Sequence, residues 1–202
     1  MSLSISRRDF NKLLLGSALT SALATQALAD DGASNYVKKL GAEVIRLANG
    51  GTRGDKALQH RFAALFNRYI SIPNVASFAL GTAQHDLPPG DKAMFYDLVA
   101  NYAAALFVWY VEDFKGDSLA ITNSAAQGKF TTVDSTIKGG GLGGEKLRWR
   151  VSGSNGSYRI ADLNVKGVWL TISMKKLFAD TLKNSKGDFN AIYSKLREAE
   201  TW

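Results

Sequence analysis

Residues 158–178, YRIADLNVKGVWLTISMKKLF, change character twice, and their reading decides the fold. Tyr158 and Ile160 set one alternating phase, while Leu163 and Val165 set the opposite one. An odd step near Ala161-Asp162 therefore either carries the second half of the strand to the other face of a sheet or marks a β-bulge that bends it. Beyond the Gly-punctuated turn at Gly167 the pattern becomes helical. Helices are expected near Lys175 to Asn184 and Asp188 to Ala199. A sheet bent at this point can curl around something.

Working outward, the period is two from Ser118 onward. SLAIT, KFTTVDSTI and KLRWRVSG join SYRIADLNV as four strand candidates separated by Gly, Ser and Asn turns, most plainly the SGSNGS link between the last two. In KLRWRVSG, Leu147, Trp149 and Val151 point one way and Arg148 and Arg150 the other, giving one apolar and one basic face.

The first half of the chain reads as helices. Tyr36, Leu40, Val44 and Leu47 recur at helical spacing, as do Leu58, Phe62, Leu65, Phe66 and Tyr69, with NGGTRGD as the breaker between them. Pro73 opens a short third helix in which Val75, Phe78 and Ala79 share a face, ending at Gly81. After Pro88-Pro89-Gly90 a long helix runs from about Asp91 to Tyr110, with Phe95, Leu98, Val99, Tyr102, Leu106 and Phe107 on its apolar side. Asp97 and Asn101 interrupt it, and its cleanest apolar run is about half the ~20 residues a membrane span requires, so it reads as a core helix.

The N-terminus, SRRDFNKLLLGSALTSALATQALA, has Arg7 and Arg8 ahead of an apolar stretch that closes on Ala27-Leu28-Ala29. These are the parts of a bacterial export signal of the twin-arginine type, expected to be cleaved so that residues 1–29 are lost and a single domain spans 30–202. Cleavage lowers the formal charge from +7 to +5. For an exported protein, that mild basicity points to lipid headgroups and envelope polysaccharides, and nucleic acid is not expected as a partner. The chain has no cysteine, which excludes disulfides, thiolate catalysis and Cys-bound metals. With 46% hydrophobic residues and three prolines, it has the composition of a folded domain.

Catalytic motifs fail one by one. Gly139, Gly141 and Gly144 spell G-x-G-x-x-G, but a strand follows where a dinucleotide site needs a helix N-terminus, so the segment reads as a strand connection. G-x-S-x-G, H-E-x-x-H and the phosphate-binding G-x-x-x-x-G-K are absent, and the two histidines, His60 and His85, lie apart in the sequence. Neither a metal nor another cofactor is expected. Glu112, Asp113 and Asp117 stand where the long helix ends, a place where carboxylates are usually solvated.

The stretch 158–178 resembles the most recognisable segment of the MlaC-type family, the toluene-tolerance auxiliary proteins of a phospholipid ABC transport system. Tyr158, Asp162, Gly167, Val168, Leu170, Lys175 and Phe178 take the places of its pattern. RYISIPNVASFALG, with Ile72, Val75, Ala76 and Leu80-Gly81, and FYDLVANYAAAL resemble two of its helices, and the similarity runs over most of residues 35–198. Three positions depart from the pattern: Trp169 replaces a small residue, Lys175 an arginine and Leu177 a polar residue.

The resemblance implies an α+β fold in which several helices pack on a curved antiparallel sheet of about four strands around an apolar lipid pocket. It implies a periplasmic carrier of glycerophospholipid, exchanging cargo with a membrane-bound ABC lipid transporter complex and an outer-membrane lipoprotein complex. Expected tail-binding residues are Ile72, Val75, Phe78, Ala79, Leu98, Tyr102, Trp149, Val151, Ile160, Val168 and Leu170. Lys175 and Lys176 are expected to meet the headgroup or a partner, and Trp169 to narrow the entrance. Three alternatives stay open: a carrier of hopanoid or another apolar lipid, an envelope interaction protein with a filled core, and an enzyme of the ketosteroid-isomerase sort. The enzyme would use Asp113 or Asp162 as base and Tyr102 or Tyr110 as hydrogen-bond donor.

Overall fold

The computed structural model describes residues 31–140, 144 and 146–202. The expected N-terminal export signal, with Arg7 and Arg8, and part of the glycine-rich connection after Lys138 lie outside the described residues. The chain runs α1 (Asp31–Asn49), α2 (Lys56–Tyr69), α3 (Ile72–Leu80), α4 (Lys92–Trp109), β1 (Ser118–Gln127), β2 (Phe130–Lys138), β3 (Lys146–Ser152), β4 (Arg159–Val165), β5 (Val168–Trp169), α5 (Leu170–Asn184) and α6 (Phe189–Arg197). Short 3-10 turns at Gly81–His85, Pro89–Asp91, Val111–Phe114 and Glu198–Thr201 connect or end these elements.

The strands form one antiparallel meander in chain order, β1-β2-β3-β4-β5. The sequence pattern anticipated four of them. β5 was not anticipated because it has only two residues, too few for any alternation to register. Asn164 and Val165 pair with Trp169 and Val168 across the Lys166-Gly167 turn, where both residues have positive φ, 51° and 84°. That is the geometry of a two-residue hairpin with a right-handed twist, which glycine accepts readily and lysine accepts at a cost.

The odd step in β4 is a bulge. Arg150 pairs with Asp162 and Val151 with Ile160, leaving Ala161 as the extra residue. The bulge keeps Ile160 and Leu163 on the same buried face despite their opposite sequence phases. A second irregularity lies at Thr122 in β1, between Ile121 and Asn123. The two bends curve the sheet. Its concave face carries Val133, Ser135, Leu147, Trp149, Val151, Ile160 and Leu163, all buried. The Trp149 indole N–H donates to the Ser135 hydroxyl at 2.8 Å, satisfying the polar atoms of that face.

The helices cover this face. α2 is capped by Asp55, whose side chain accepts the Leu58 N–H, and α3 ends on Gly81 at φ 60°. Phe62, Phe66 and Phe107 cluster where α2 meets α4, with Phe66 and Phe107 edge to face at 4.8 Å. Phe95, Phe178 and Tyr193 join α4, α5 and α6 in the same way.

α5 begins at Leu170, five residues before its expected start. The N-cap residue, Trp169, offers no side-chain hydrogen bond, and the cap comes from another strand. Asp162 Oδ1 accepts the Thr171 N–H at 3.1 Å and the Leu163 N–H at 2.9 Å, and the Thr171 hydroxyl donates to Asp162 Oδ2 at 2.6 Å. A carboxylate at a helix N-terminus satisfies orphan donors and favours the helix dipole. No local sequence signal could announce a cap nine residues away.

Candidate functional site

Three spaces lie along the first turn of α5. The innermost is a small, almost wholly apolar cavity of about 70 Å³ between the helix layer and the sheet. Leu40, Val44, Phe66, Ile72, Val75, Trp149, Ile160, Leu170 and Met174 are among its lining residues. It shares Ala103, Phe107, Leu170 and Met174 with an open groove of about 510 Å³. On its other side it shares Ala161, Asp162 and Thr171 with a hollow of about 470 Å³. The groove and the hollow share no lining residue with each other, so the cavity stands between them.

The groove is built from α4 and the turn after it on one side, and from the β4–β5 hairpin and α5 on the other. Tyr102, Leu106, Tyr110 and Phe114 face Val165, Val168 and Leu177. Phe107 forms the partition between groove and cavity, stacked on Phe114 with ring centroids 4.5 Å apart. Val168 at 53% exposure and Tyr110 at 51% leave large apolar surface in water at the groove. The charged groups in its lining are Lys166 and Asp113, an ion pair at 3.6 Å that links the hairpin to the end of α4. Burial pushes the Tyr102 hydroxyl pKa above its usual value, and its ring packs edge to face on Trp202 at 5.4 Å.

Five of the expected tail-binding residues line the small cavity: Ile72, Val75, Trp149, Ile160 and Leu170. Leu170 also lines the groove, together with Tyr102 and Val168, and Phe78 lines the third hollow. Ala79, Leu98 and Val151 are packed in the core and line none of the three. Trp169 lines none of them either; the Arg150 guanidinium sits 3.9 Å above its ring. Lys175 lies 5.3 Å from the centroid of the Phe78 ring, and Lys176 pairs with Asp180 at 2.5 Å.

Leu106, Phe107, Phe114, Val165, Lys166, Met174 and Leu177 were not anticipated as site residues, and Tyr110 only as the hydrogen-bond donor of the enzyme alternative. One signal was available. α4 is apolar nearly all the way round, with Ala100 and Ala103–Ala105 filling the gaps between its large residues, and a helix of that kind needs cover on more than one face.

The carboxylates considered as catalytic bases are engaged. Asp162 caps α5 and lies 3.6 Å from Arg150, and Asp113 holds Lys166. Among the described residues no group of three or more His, Asp or Glu side chains could hold a metal ion. Nor is any helix among them long and apolar enough to cross a membrane.

No curated protein matches the chain. Among solved structures, a phospholipid-binding protein from Ralstonia solanacearum, determined in complex with a phospholipid, superimposes with a TM-score of 0.67 at 18% identity. The match covers 86% of this chain and 97% of that one, and at such low identity the likeness is one of fold. The model of the family described as MlaC protein matches residues 39–198, from within α1 through α6, and thus takes in every wall of the groove and both other spaces. The chain belongs to the MlaC family.

Proposed function

We propose that this protein is a periplasmic carrier of glycerophospholipid that holds acyl tails in the groove and, when that opens, in the core cavity. One observation carries the reading: an apolar groove backed by an apolar cavity, with Val168 and Tyr110 left exposed beside it. Family membership and the phospholipid bound by the Ralstonia protein support the same cargo.

The energetics explain why such a site is needed. An acyl chain of about sixteen carbons exposes on the order of 12 kcal/mol of apolar surface when it crosses water uncovered, at ~0.8 kcal/mol per CH2. Room can be judged from a cavity of ~150 Å³ that accepts the six carbons of benzene, or about 25 Å³ per carbon. By that measure the 510 Å³ groove has space for on the order of 20 carbons, enough for one tail. The 70 Å³ cavity is far too small for a second. A second tail therefore requires the layer of Ala103, Phe107, Leu170 and Met174 to part, which turns cavity and groove into one space.

On this reading no covalent chemistry occurs. The protein leaves the cytoplasm by the twin-arginine route and exchanges lipid by docking to a membrane-bound ABC lipid transporter complex and an outer-membrane lipoprotein complex. Its mild basicity favours encounter with anionic lipid surfaces. An enzyme is disfavoured because Asp162 and Asp113 already have structural partners. A filled-core interaction protein is disfavoured by the open groove.

Transfer is the test. Vesicles carrying a self-quenched fluorescent phospholipid and unlabelled acceptor vesicles are mixed with catalytic amounts of the mature protein. Dequenching proportional to protein concentration, accompanied by a rise in Tm on lipid addition, is the expected result. Absence of both would sink the carrier assignment.

A further inference from the structure

The third space differs in kind from the groove. It is framed by Asn74, Ser77 and Phe78 of α3, by Lys129 and Phe130 at the β1–β2 turn, and by Arg150 and Ser152 of β3. Ala161, Asp162 and Thr171 form its boundary with the core cavity. Asp162 is the carboxylate in this lining, and it is consumed. Two backbone N–H groups and the Thr171 hydroxyl donate to it, and Arg150 approaches to 3.6 Å.

The cations of the hollow are held by ring faces. Lys129 sits 5.3 Å from the Phe130 centroid, Arg150 3.9 Å from that of Trp169, and Lys175 5.3 Å from that of Phe78. Among the described residues neither Lys129 nor Lys175 has a carboxylate at ion-pair distance. Ring faces position a cation without neutralising it. The hollow and its rim therefore keep an excess of positive charge, whereas the groove lining is neutral through the Lys166–Asp113 pair. Across α5 the path runs from apolar and neutral to polar and basic.

We propose that the basic hollow receives the phosphate-bearing head of the same lipid whose tails occupy the groove and cavity. Arg150 and Lys129 contact the phosphate, and Lys175 lies at the rim. The inference rests on the carrier reading and adds an orientation to it: the head emerges beside α3, not between α4 and the β4–β5 hairpin. The Ala161 bulge is where glycerol would pass, since the extra residue there carries only a methyl group. Asn74 and Ser77 supply donors for ester carbonyls, whereas the Ser152 hydroxyl donates to the Arg159 carbonyl.

The test is competitive. Lipid-stripped mature protein is equilibrated at fixed ionic strength with equimolar dioleoyl-phosphatidylglycerol and dioleoylglycerol, which share tails and differ in phosphate, and the bound ratio is read by native mass spectrometry. A preference of about tenfold or more for the phosphatidylglycerol is expected, as for charge-assisted contacts. The double variant Lys129→Gln/Lys175→Gln should bring the ratio towards one, and the exposed control Lys183→Gln should not change it.

An unchanged ratio in the double variant overturns the proposal. So does loss of the preference in Lys166→Gln, which would put the head at the groove mouth. Inorganic phosphate is titrated separately by amide NMR. Shifts at Lys129 and Arg150, combined with a lipid ratio that ignores these residues, would make the hollow a soluble-anion site and refute the head assignment. If the parent protein binds neither lipid, the carrier reading itself has failed.

Discussion

Replacing Val168 by aspartate separates lipid binding from folding. Val168 lies at the groove and is 53% exposed, so in the lipid-free protein a carboxylate there stays in water and stability should change by no more than about 0.5 kcal/mol. With lipid bound there are two outcomes, and the cheaper one sets the loss. Keeping the tail against the carboxylate strips the charge of water, at several kcal/mol for a buried ion. Letting the tail lift away from this part of the groove re-exposes about four methylenes, or ~3 kcal/mol at ~0.8 kcal/mol each. The second route wins. It corresponds to about a hundredfold weaker binding at ~1.4 kcal/mol per decade. Ile172→Asp is the matched control: Ile172 is 49% exposed on α5 but lines none of the three spaces. Lipid affinity is measured by displacement of a fluorescent fatty acyl probe, with thermal melts run in parallel. Wild-type affinity in Val168→Asp, or an equal loss in Ile172→Asp, would refute the reasoning.

Other perturbations follow from single contacts. Asp162→Ala removes the cap of α5 and leaves Arg150 without its partner; because Arg150 reaches solvent, the cost should sit near the low end of the range for broken buried pairs, about 3 kcal/mol by urea denaturation. The Arg148 guanidinium, 2.7 Å from Asp134, holds that carboxyl below the usual carboxylate range. Its stabilisation is therefore complete above about pH 4, the unfolded value, and is lost as pH falls through the lower folded-state value. Asp134→Asn should flatten the acid limb of the stability profile, and an unchanged limb would contradict this. Burial and a hydrogen bond donated to Asp91 push Tyr193 up to about 12. Its contribution is thus present below the unfolded value near 10 and disappears as pH rises through about 12, so ultraviolet titration of Tyr193→Phe should lose a late-ionising tyrosinate. Gly153→Ala should be strongly destabilising, because φ is 92° there and a Cβ would run into the Ser157 carbonyl.

Much of this architecture was legible in the residues because it depends on periodicity. The phase conflict between Ile160 and Leu163 had two solutions, and the buried face of β4 selects the bulge, since the alternative would have turned Leu163 away from the core. What periodicity cannot reveal is whether a buried face meets another side chain or an empty space. Val151 and Ile160 are paired neighbours on the same face, yet Ile160 lines the cavity and Val151 does not. The start of α5 was misplaced because its cap comes from Asp162 across the β4–β5 hairpin. The basic hollow was illegible for the same reason. Lys129, Arg150 and Lys175 lie far apart in the chain, and only the pairing of β2 with β3 and the packing of α3 on α5 bring them to one place. Lys175 was singled out from the family pattern, and it lies beside this hollow, on the ring of Phe78, and not at the groove.

The central claim is that the groove and cavity hold lipid tails, and native mass spectrometry of the mature protein, exported and purified without detergent, tests it most directly. The account predicts a mass excess of one glycerophospholipid per chain, identified by fragmentation, and its loss in Val168→Asp. A protein that emerges empty, and stays empty after incubation with phospholipid vesicles, would contradict it.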